Sequence, residues 1–582
     1  MALENGIDRS MARAKKSQPL SQIDKLRQWS YDALMQHQYQ TAEFVAEKVF
    51  QFTGEADDAF QLAQVSYFNG NYSRTRQVLT SRPNLLESAS CRYLLALSLT
   101  QIGEWEEALE VIGERNLYPL TRSGMGKLND KNPTIQNSAV KLEASMCFLR
   151  GEIYTNHGDF DMAKECYKEA VQVDPKCFEA FDHLTRNNLL TPKEEWELLN
   201  GLDLENNLGE NADLIRAFYT TRLSKYVNID RYEKAKVKLS DEYNMSENTD
   251  VLQSQADLLF IQCKFEECVK VCEAIFQKDE FKMSALPNYL ASLHELGHKN
   301  KLYLLAHKMA DSHPNEPASW LAVGVYYLTI NKVAEARRYF SKASMMHPYF
   351  CHAWIGFAHT FAVEGEHEQA IAAYSTATRL FQGTHLPNLF LGMQHLHLNN
   401  LNLAQEYLMS SFSVCPTDPL LLNEIGVVHY HKNDLALAEK YFVEALEAVA
   451  DLDSDPKAWD SIQANLGHVY RRQEKFDKAL EHFERVLPAT HSNANILSAI
   501  GLVHLQAGHI SLAIEKLNNA LSITPNDPIA TDLLHRALFE NCSARPEVAD
   551  FQLDDTDDEL REIISDRIQS LNEEFHMEIE SD

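Results

Sequence analysis

The chain has 582 residues, 45% of them apolar and 24% charged, which is ordinary for a soluble globular protein. Its formal net charge of −30, from 54 basic and 84 acidic residues, disfavours nucleic acid as a partner, because phosphate binding needs clustered lysine and arginine. No apolar run approaches the roughly 18 residues of a membrane span, so we expect no membrane partner. The ten cysteines lack short regular spacing, which is typical of reduced thiols in an intracellular protein.

The N-terminal part of the chain predicts a basic, disordered stretch followed by weak helical repeats. We expect disorder over residues 1–22. Small residues then recur 33 positions apart, at Ser30, Ala63 and Ala96. This period predicts helix-turn-helix repeats over residues 23–117.

The next strong repeat follows an insertion. From Ala96 to the next small residue, Gly151, there are 55 positions, so about 21 residues have been added to the period. The polar, glycine-containing sequence in this space predicts a mobile loop over residues 118–140. Residues 141–315 continue the period, and several of their repeats are degenerate. The degenerate repeats are centred near Leu184, Leu223 and Ala256.

The period is clearest over residues 316–540. Small residues recur there at intervals of 34, 34, 34, 41 and 34 residues, at Gly324, Ala358, Gly392, Gly426, Gly467 and Gly501. Together with the large residues between them, they resemble the tetratricopeptide repeat (TPR) in type and spacing. A capping helix is predicted around Asp532 to Phe539. The acidic residues 541–582 are predicted to form a disordered tail.

The small residues have a structural cause. Glycine or alanine at the eighth repeat position allows two antiparallel helices to cross closely, and the alanine twelve residues later is expected to face it. We therefore predict an all-α TPR solenoid, a right-handed superhelix of about fourteen helix-turn-helix repeats. Its helix crossings are predicted at Gly151, Gly324, Ala358, Gly392, Gly426, Gly467 and Gly501.

One segment, "HELGH", carries a motif typical of zinc metalloproteases. On a single helix, His294 and His298 would ligate zinc and Glu295 would act as general base. However, Gly297 falls at the turn of its repeat, as Gly103 does in another repeat. We therefore expect a helix break between the two histidines, and a zinc metallopeptidase is only a remote alternative.

Other candidate ligands occupy repeat positions that packing explains. His395, His429 and His504 share position 11, which faces the helix interface. Cys268 and Cys272 take the small facing and interlocking positions of their repeat, where a buried thiol packs well. The sequence contains no P-loop, nucleophile elbow or carboxylate pair at catalytic spacing. We predict that the protein is not an enzyme and uses no metal or cofactor.

TPR arrays bind extended or helical segments along the face formed by the first helix of each repeat. In the C-terminal repeats, these inner positions hold His359, Met393, Glu424, Val427, Tyr430, Asn465, His468, Arg471 and Leu502. We predict that these nine side chains line a partner-binding groove. The Asn465 amide can donate to and accept from a peptide backbone, and Glu424 suits a partner that carries lysine or arginine.

A different kind of partner remains as an alternative. Chaperone-binding TPR proteins hold a C-terminal carboxylate with lysine at position 5 and asparagine at position 9, and no repeat here has that pair. A TPR adaptor or co-chaperone that binds the peptide tail of another partner is therefore the second hypothesis.

Several segments are far more specific than the TPR consensus. "PASWLAVGVYYL", "HAWIGFAHTFAVEGEHEQAIAAY" and "ANLGHVYRR" resemble subunit six of the anaphase-promoting complex, a cell-cycle ubiquitin ligase. The resemblance implies a non-catalytic scaffold that forms a homodimer through its N-terminal repeats and contacts other TPR subunits. It also implies a small subunit whose N-terminal segment lies in the C-terminal groove. We expect such a protein in the nucleus and the cytoplasm.

Overall fold

A computed structural model describes residues 21–113, 140–450, 459–487 and 494–543. Apart from residues at their edges, the predicted basic N-terminus, loop insertion and acidic tail lie outside these ranges. All regular secondary structure in the described residues is helical. None of these helices is long and apolar enough to cross a membrane.

The chain divides into two compact units. Unit 1 comprises Met1–Leu184 and Gly201–Glu210, and unit 2 comprises Thr185–Asn200 and Asn211–Asp582. The segment boundaries expected from the sequence, at residues 117, 315 and 540, stay predictions.

Unit 1 is built from short antiparallel helices. Its α-helices are α1 Gln22–Met35, α2 Tyr39–Thr53, α3 Ala56–Phe68, α4 Tyr72–Thr80, α5 Ala89–Ile102, α6 Trp105–Ile112, α7 Leu142–His157, α8 Phe160–Val173 and α11 Leu204–Leu208. Helix α9, Phe178–Arg186, lies at the division. Short 3₁₀ helices cover Pro83–Glu87 and Gly209–Asn211.

Unit 2 contains the longer series. Its helices are α10 Pro192–Gly201, α12 Ala212–Arg222, α13 Ile229–Asp241, α14 Thr249–Ile261, α15 Phe265–Lys278, α16 Leu286–Glu295, α17 Lys299–Ser312, α18 Pro317–Thr329, α19 Val333–Met346, α20 Cys351–Val363, α21 His367–Leu380, α22 Leu386–His397, α23 Leu401–Val414, α24 Pro419–His431, α25 Leu435–Ala450, α26 Asp460–Arg472, α27 Phe476–Val486, α28 Ala494–Gln506, α29 Ile510–Ile523 and α30 Pro528–Ser543. A 3₁₀ helix covers Met283–Ala285.

Consecutive helices pack as pairs. Helices α1 to α8 form four pairs and α12 to α29 form nine, which gives thirteen in the described residues. Helices α9 and α10 bring the number of consecutive pairs to the expected fourteen. Helix α30 packs on α28 and α29 and is the predicted capping helix. The predicted all-α repeat architecture is confirmed.

Most pairs turn tightly. Two or three residues connect the helices of each pair in both series, except between α12 and α13. One turn residue adopts a left-handed backbone, and it is usually glycine or asparagine because these residues tolerate positive φ. Gly103, Gly365 and Asn433 are examples, with φ of 94°, 75° and 64°.

The small residues lie at the helix crossings, with one difference from the sequence-based expectation. A Cβ added at the six glycines would lie 2.5–2.8 Å from the side chain sixteen residues later. The pairs are Gly151–Tyr167, Gly324–Phe340, Gly392–Leu408, Gly426–Phe442, Gly467–Phe483 and Gly501–Leu517. Ala358 is fully buried in a cluster with Tyr374, also sixteen residues later. The nearest facing side chain is therefore not the alanine at twelve.

One degenerate repeat has a different phase from the one predicted. The sequence analysis placed Leu223 at a helix crossing, but α12 ends at Arg222 and Leu223 is its C-cap. Six residues, Leu223–Asn228, connect α12 to α13. The connection ends at Asn228, whose φ is 58°.

Candidate partner-binding groove

The first helices of the C-terminal repeats are buried on every side. Almost every residue of α24 and α28 is buried, from Pro419 to Tyr430 and from Ala494 to Leu505. A helix at the surface of a globular protein normally buries only one stripe. The inner face of these repeats is therefore enclosed, and polar side chains on it lie in a low-dielectric environment.

Two predicted groove residues are joined by a third that the sequence analysis missed. Asn465 Nδ2 donates to Asn423 Oδ1 at 3.0 Å, and Asn423 Nδ2 donates to Glu424 Oε1 at 3.1 Å. All three are buried, and Glu424 has no exposed surface. Asn423 occupies repeat position 5, an inner position, so the phase that gave Asn465 could also have found it.

Two further polar side chains have buried atoms that lack a protein partner. Arg471 is 6% exposed, and burial lowers its pKa although the nearby Tyr430 hydroxyl acts in the opposite direction. Within the described residues, neither Arg471 Nε nor Ser498 Oγ forms a hydrogen bond. Buried donors of this kind are rare and indicate a site that a ligand or water completes. We call Asn423, Glu424, Asn465, Arg471 and Ser498 the polar floor.

The remaining predicted groove residues mainly pack within the array. Met393, Val427 and Tyr430 belong to one apolar cluster, and Leu502 belongs to another. His359 Nδ1 lies 2.6 Å from the Tyr374 hydroxyl, and burial lowers the pKa of His359 to about 4. The His468 ring meets the Phe483 ring edge-on at 5.0 Å. These six side chains form apolar walls rather than polar contacts.

The metalloprotease-like motif is divided between two helices. His294 lies in the last turn of α16 and His298 is the N-cap of α17, while Gly297 between them has φ of 65°. His294 Nδ1 lies 2.7 Å from Thr329 Oγ1. Burial raises the pKa of Glu295. The described ranges contain no group of three or more His, Cys, Asp or Glu residues placed to hold a metal.

The position-11 histidines pack against rings. His395 stacks on Tyr407 at 5.4 Å, and His429 stacks on Tyr441 at 5.6 Å. His504 lies at the buried face of α28. Burial lowers the pKa of all three histidines. Neutral stacked rings account for these residues without a metal.

Relatives with established names match nearly the whole chain. The chain is 46% identical to anaphase-promoting complex subunit cut9 of Schizosaccharomyces pombe, over 91% of this chain and 78% of that protein. It is 41% identical to anaphase-promoting complex subunit CDC16 of Saccharomyces cerevisiae, over 90% of this chain but 63% of the longer relative. The chain belongs to the subunit six family of the anaphase-promoting complex.

Family models and a solved structure agree with the subunit six family. Tetratricopeptide repeat models match residues 144–177, 417–490 and 460–526. The model of anaphase-promoting complex, cyclosome, subunit 3 matches residues 35–115. The crystal structure of the APC/C hetero-tetramer Cut9–Hcn1 contains a chain that is 47% identical to this one, with a TM-score of 0.79. The match covers 89% of this chain and 97% of that one.

The first repeats of this subunit six member expose large apolar side chains. On α2, Phe44 is 60% exposed and Phe52 is 73% exposed. Trp29 and Met35 on α1 and Phe68 on α3 are also exposed. A cluster of such residues on neighbouring helices is typical of a protein–protein interface. We call these five residues the N-terminal apolar surface.

Proposed function

We propose that this chain acts as a non-catalytic scaffold in the anaphase-promoting complex and binds the N-terminal segment of a small partner subunit on the polar floor. The observation that carries the proposal is the pair of buried donors, Arg471 Nε and Ser498 Oγ, on the enclosed inner face. Family membership supports the complex, and the structure of a Cut9–Hcn1 hetero-tetramer supports a second, different protein as partner.

The polar floor suits an extended peptide backbone. Such a segment presents an N–H and a C=O group at every residue, and asparagine amides can bind both. The low dielectric of an enclosed site strengthens these hydrogen bonds. Apolar walls from Val427 and Leu502 would contact the partner's side chains. Glu424 would favour lysine, arginine or an amine on the partner.

We also propose that two copies associate through the N-terminal apolar surface. Large aromatic side chains such as Phe44 and Phe52 lose unfavourable contact with water when a second copy covers them. The term hetero-tetramer, applied to the Cut9–Hcn1 structure, supports two copies of each chain. Other TPR subunits of the complex are the remaining proposed partners.

The groove is tested most cleanly at Ser498. Its Oγ forms no hydrogen bond in the described residues, so Ser498→Ala should leave the unfolding free energy of the free chain unchanged or slightly raised. If the hydroxyl binds the partner backbone, the variant should weaken a peptide of the partner's N-terminal segment by about 0.5–1.5 kcal/mol. Calorimetric titration measures this directly.

The matched control is Ser522→Ala on the exposed face of α29. Ser522 Oγ donates to the Asn519 carbonyl, away from the polar floor. Its peptide affinity should equal that of the wild type. Equal affinity for Ser498→Ala, Arg471→Met and the wild type would remove the polar floor from partner binding. Tight binding of a free C-terminal carboxylate peptide would instead support the co-chaperone hypothesis.

A further inference from the structure

Unit 2 contains a contact that a simple repeat array does not have. Gly383 N, before α22, donates to the Asn188 carbonyl, before α10, at 2.8 Å. The two residues are 195 positions apart. A Cβ added at Gly383 would collide with the Leu190 carbonyl oxygen. Stacked repeats contact their neighbours in sequence, so a backbone contact across several repeats needs its own explanation.

The six-residue connection Leu223–Asn228 forms a second contact at the same place. The Tyr226 ring meets the His385 ring edge-on at 5.2 Å, and the Tyr226 hydroxyl interacts with the Thr384 side chain. Burial raises the pKa of Tyr226. His385 is 5% exposed. Thus both long-range contacts converge on the segment from Gly383 to His385.

From His385 the contact continues to a groove helix. His385 Nε2 lies 2.8 Å from Asp418 Oδ2. Asp418 is the N-cap of α24, and its other carboxylate oxygen accepts from Leu420 N at 3.0 Å. A capping carboxylate fixes the first turn of a helix and interacts favourably with its dipole. Helix α24 carries Asn423 and Glu424 of the polar floor.

The connection is held in shape by its own buried groups. Lys225 Nζ donates to the Thr221 carbonyl at 2.6 Å and to the Leu223 carbonyl, which are near the end of α12. Ser224 N donates to Glu195 Oε2 at 2.8 Å. These bonds satisfy carbonyls that the helix end leaves open, and they tie the connection to α10. Tyr226 is therefore presented on a rigid support.

We propose that Leu223–Asn228, together with the Asn188–Gly383 contact, is an internal clasp that fixes α22 and α24. In this arrangement Tyr226 is a positioning residue: it acts on the polar floor through His385 and Asp418 without contacting the partner. Only the binding consequence rests on the proposed function. The clasp itself is a property of the free chain, and hydrogen exchange can measure it without any partner.

The test uses the full chain and two substitutions on opposite sides of the clasp. Tyr226→Ala removes the ring, and Gly383→Ala forces the backbones apart. Each should accelerate amide exchange over residues 383–431 on the order of tenfold, because local opening costs less free energy. Each should also weaken the partner peptide several-fold. Tyr226→Phe keeps the ring on His385, so it should restore most of the protection.

Matched controls separate the clasp from general destabilisation. Tyr243→Ala removes a half-buried tyrosine that packs on α12 and α13, and Gly201→Ala adds a Cβ with no atom within 4 Å. Both should leave exchange over residues 383–431 unchanged. If Tyr226→Ala and Gly383→Ala also leave it unchanged, there is no clasp, whatever happens to binding. If exchange accelerates in both but Ser498→Ala binds normally, the clasp stands and the proposed groove fails.

Discussion

At the scale of the residue, the helix crossings show how directly a sequence can specify packing. A glycine repeated every 34 positions indicates a place with no room for a side chain, and the structure fills each such place with a large side chain from the paired helix. The periodicity identified the position. It did not identify the facing residue, because that depends on how far the second helix slides along the first.

Gly426 gives the sharpest test of this packing. A Cβ there would lie 2.7 Å from Phe442 Cε1, and Phe442 is fully buried with nowhere to move. Gly426→Ala should therefore lower the unfolding free energy by about 1–3 kcal/mol through overpacking. Urea denaturation followed by circular dichroism measures the change. Gly201→Ala, with open space around it, should be neutral or slightly stabilising; a Gly426→Ala chain equally stable would contradict the assigned crossing.

Glu195 predicts a pH dependence of stability. Burial raises its pKa from 4.5 to about 7, opposed by its hydrogen bonds to Ser224 and the charge of Lys225 and aided by Glu194. The folded chain thus holds a proton that the unfolded chain releases near pH 4.5. The unfolding free energy should fall as pH rises from about 4.5 to about 7, on the order of 2–3 kcal/mol from this group.

Glu195→Gln isolates that contribution. The amide oxygen can still accept from Ser224 N, but it cannot ionise, so the fall between pH 5 and pH 7 should be smaller than in the wild type. Lys225, whose pKa burial lowers to about 8, affects stability only at higher pH. Exposed Glu197→Gln should keep the wild-type profile. Identical profiles for all three proteins would show that Glu195 is ionised in the folded chain.

The polar floor was only partly predictable from single residues. The repeat phase correctly assigned Glu424 and Asn465 to the inner face, where a hydrogen-bonded chain through Asn423 joins them. It could not show that this face is enclosed, because enclosure depends on repeats distant in sequence. For the same reason His359 and Met393, assigned to the groove, prove to be packing residues.

At the scale of the element, regular repeats were predictable and irregular connections were not. Strong repeats carry both a small crossing residue and a glycine or asparagine turn, so two signals fix the phase. The repeat of α12 and α13 has neither signal at the predicted place, and its first helix ends at Arg222 instead. The clasp lies in this connection. Its contacts with His385 are long-range, and no local pattern encodes them.

The break between α16 and α17 leads to a prediction about His294. The ring contacts Thr329 of the following helix pair, so His294→Ala should lower the unfolding free energy by about 1 kcal/mol. Zinc measured by mass spectrometry in purified protein should be far below one equivalent in both the wild type and the variant. Stoichiometric zinc that disappears in His294→Ala, accompanied by peptidase activity, would establish the metallopeptidase alternative.

At the scale of the whole molecule, the chain combines contacts between neighbours with at least one long-range closure. Neighbour contacts alone would let a damaged repeat open without affecting distant ones. The clasp instead joins the beginning of unit 2 to the repeats that carry the polar floor. This makes the groove sensitive to residues far from it, and it explains why a degenerate repeat can matter as much as a regular one.

The dimer is the remaining prediction at this scale. Phe44 and Phe52 lie on one helix of the N-terminal apolar surface, and a charge placed there would be buried unpaired against a second copy. Phe44→Glu with Phe52→Glu should therefore reduce the mass measured by light scattering at micromolar concentration from twice 66.4 kDa to the monomer value. Circular dichroism should stay unchanged, because both side chains are exposed in the single chain.

Phe281 supplies the control for the dimer prediction. It is 71% exposed, as much as Phe52, but it lies in unit 2. Phe281→Glu adds the same charge at an equally exposed ring and should leave the dimer intact, because exposure alone does not create an interface. If Phe281→Glu dissociates the dimer and the Phe44 and Phe52 substitutions do not, the interface lies in unit 2. A wild-type chain that is monomeric at the same concentration would remove the dimer altogether.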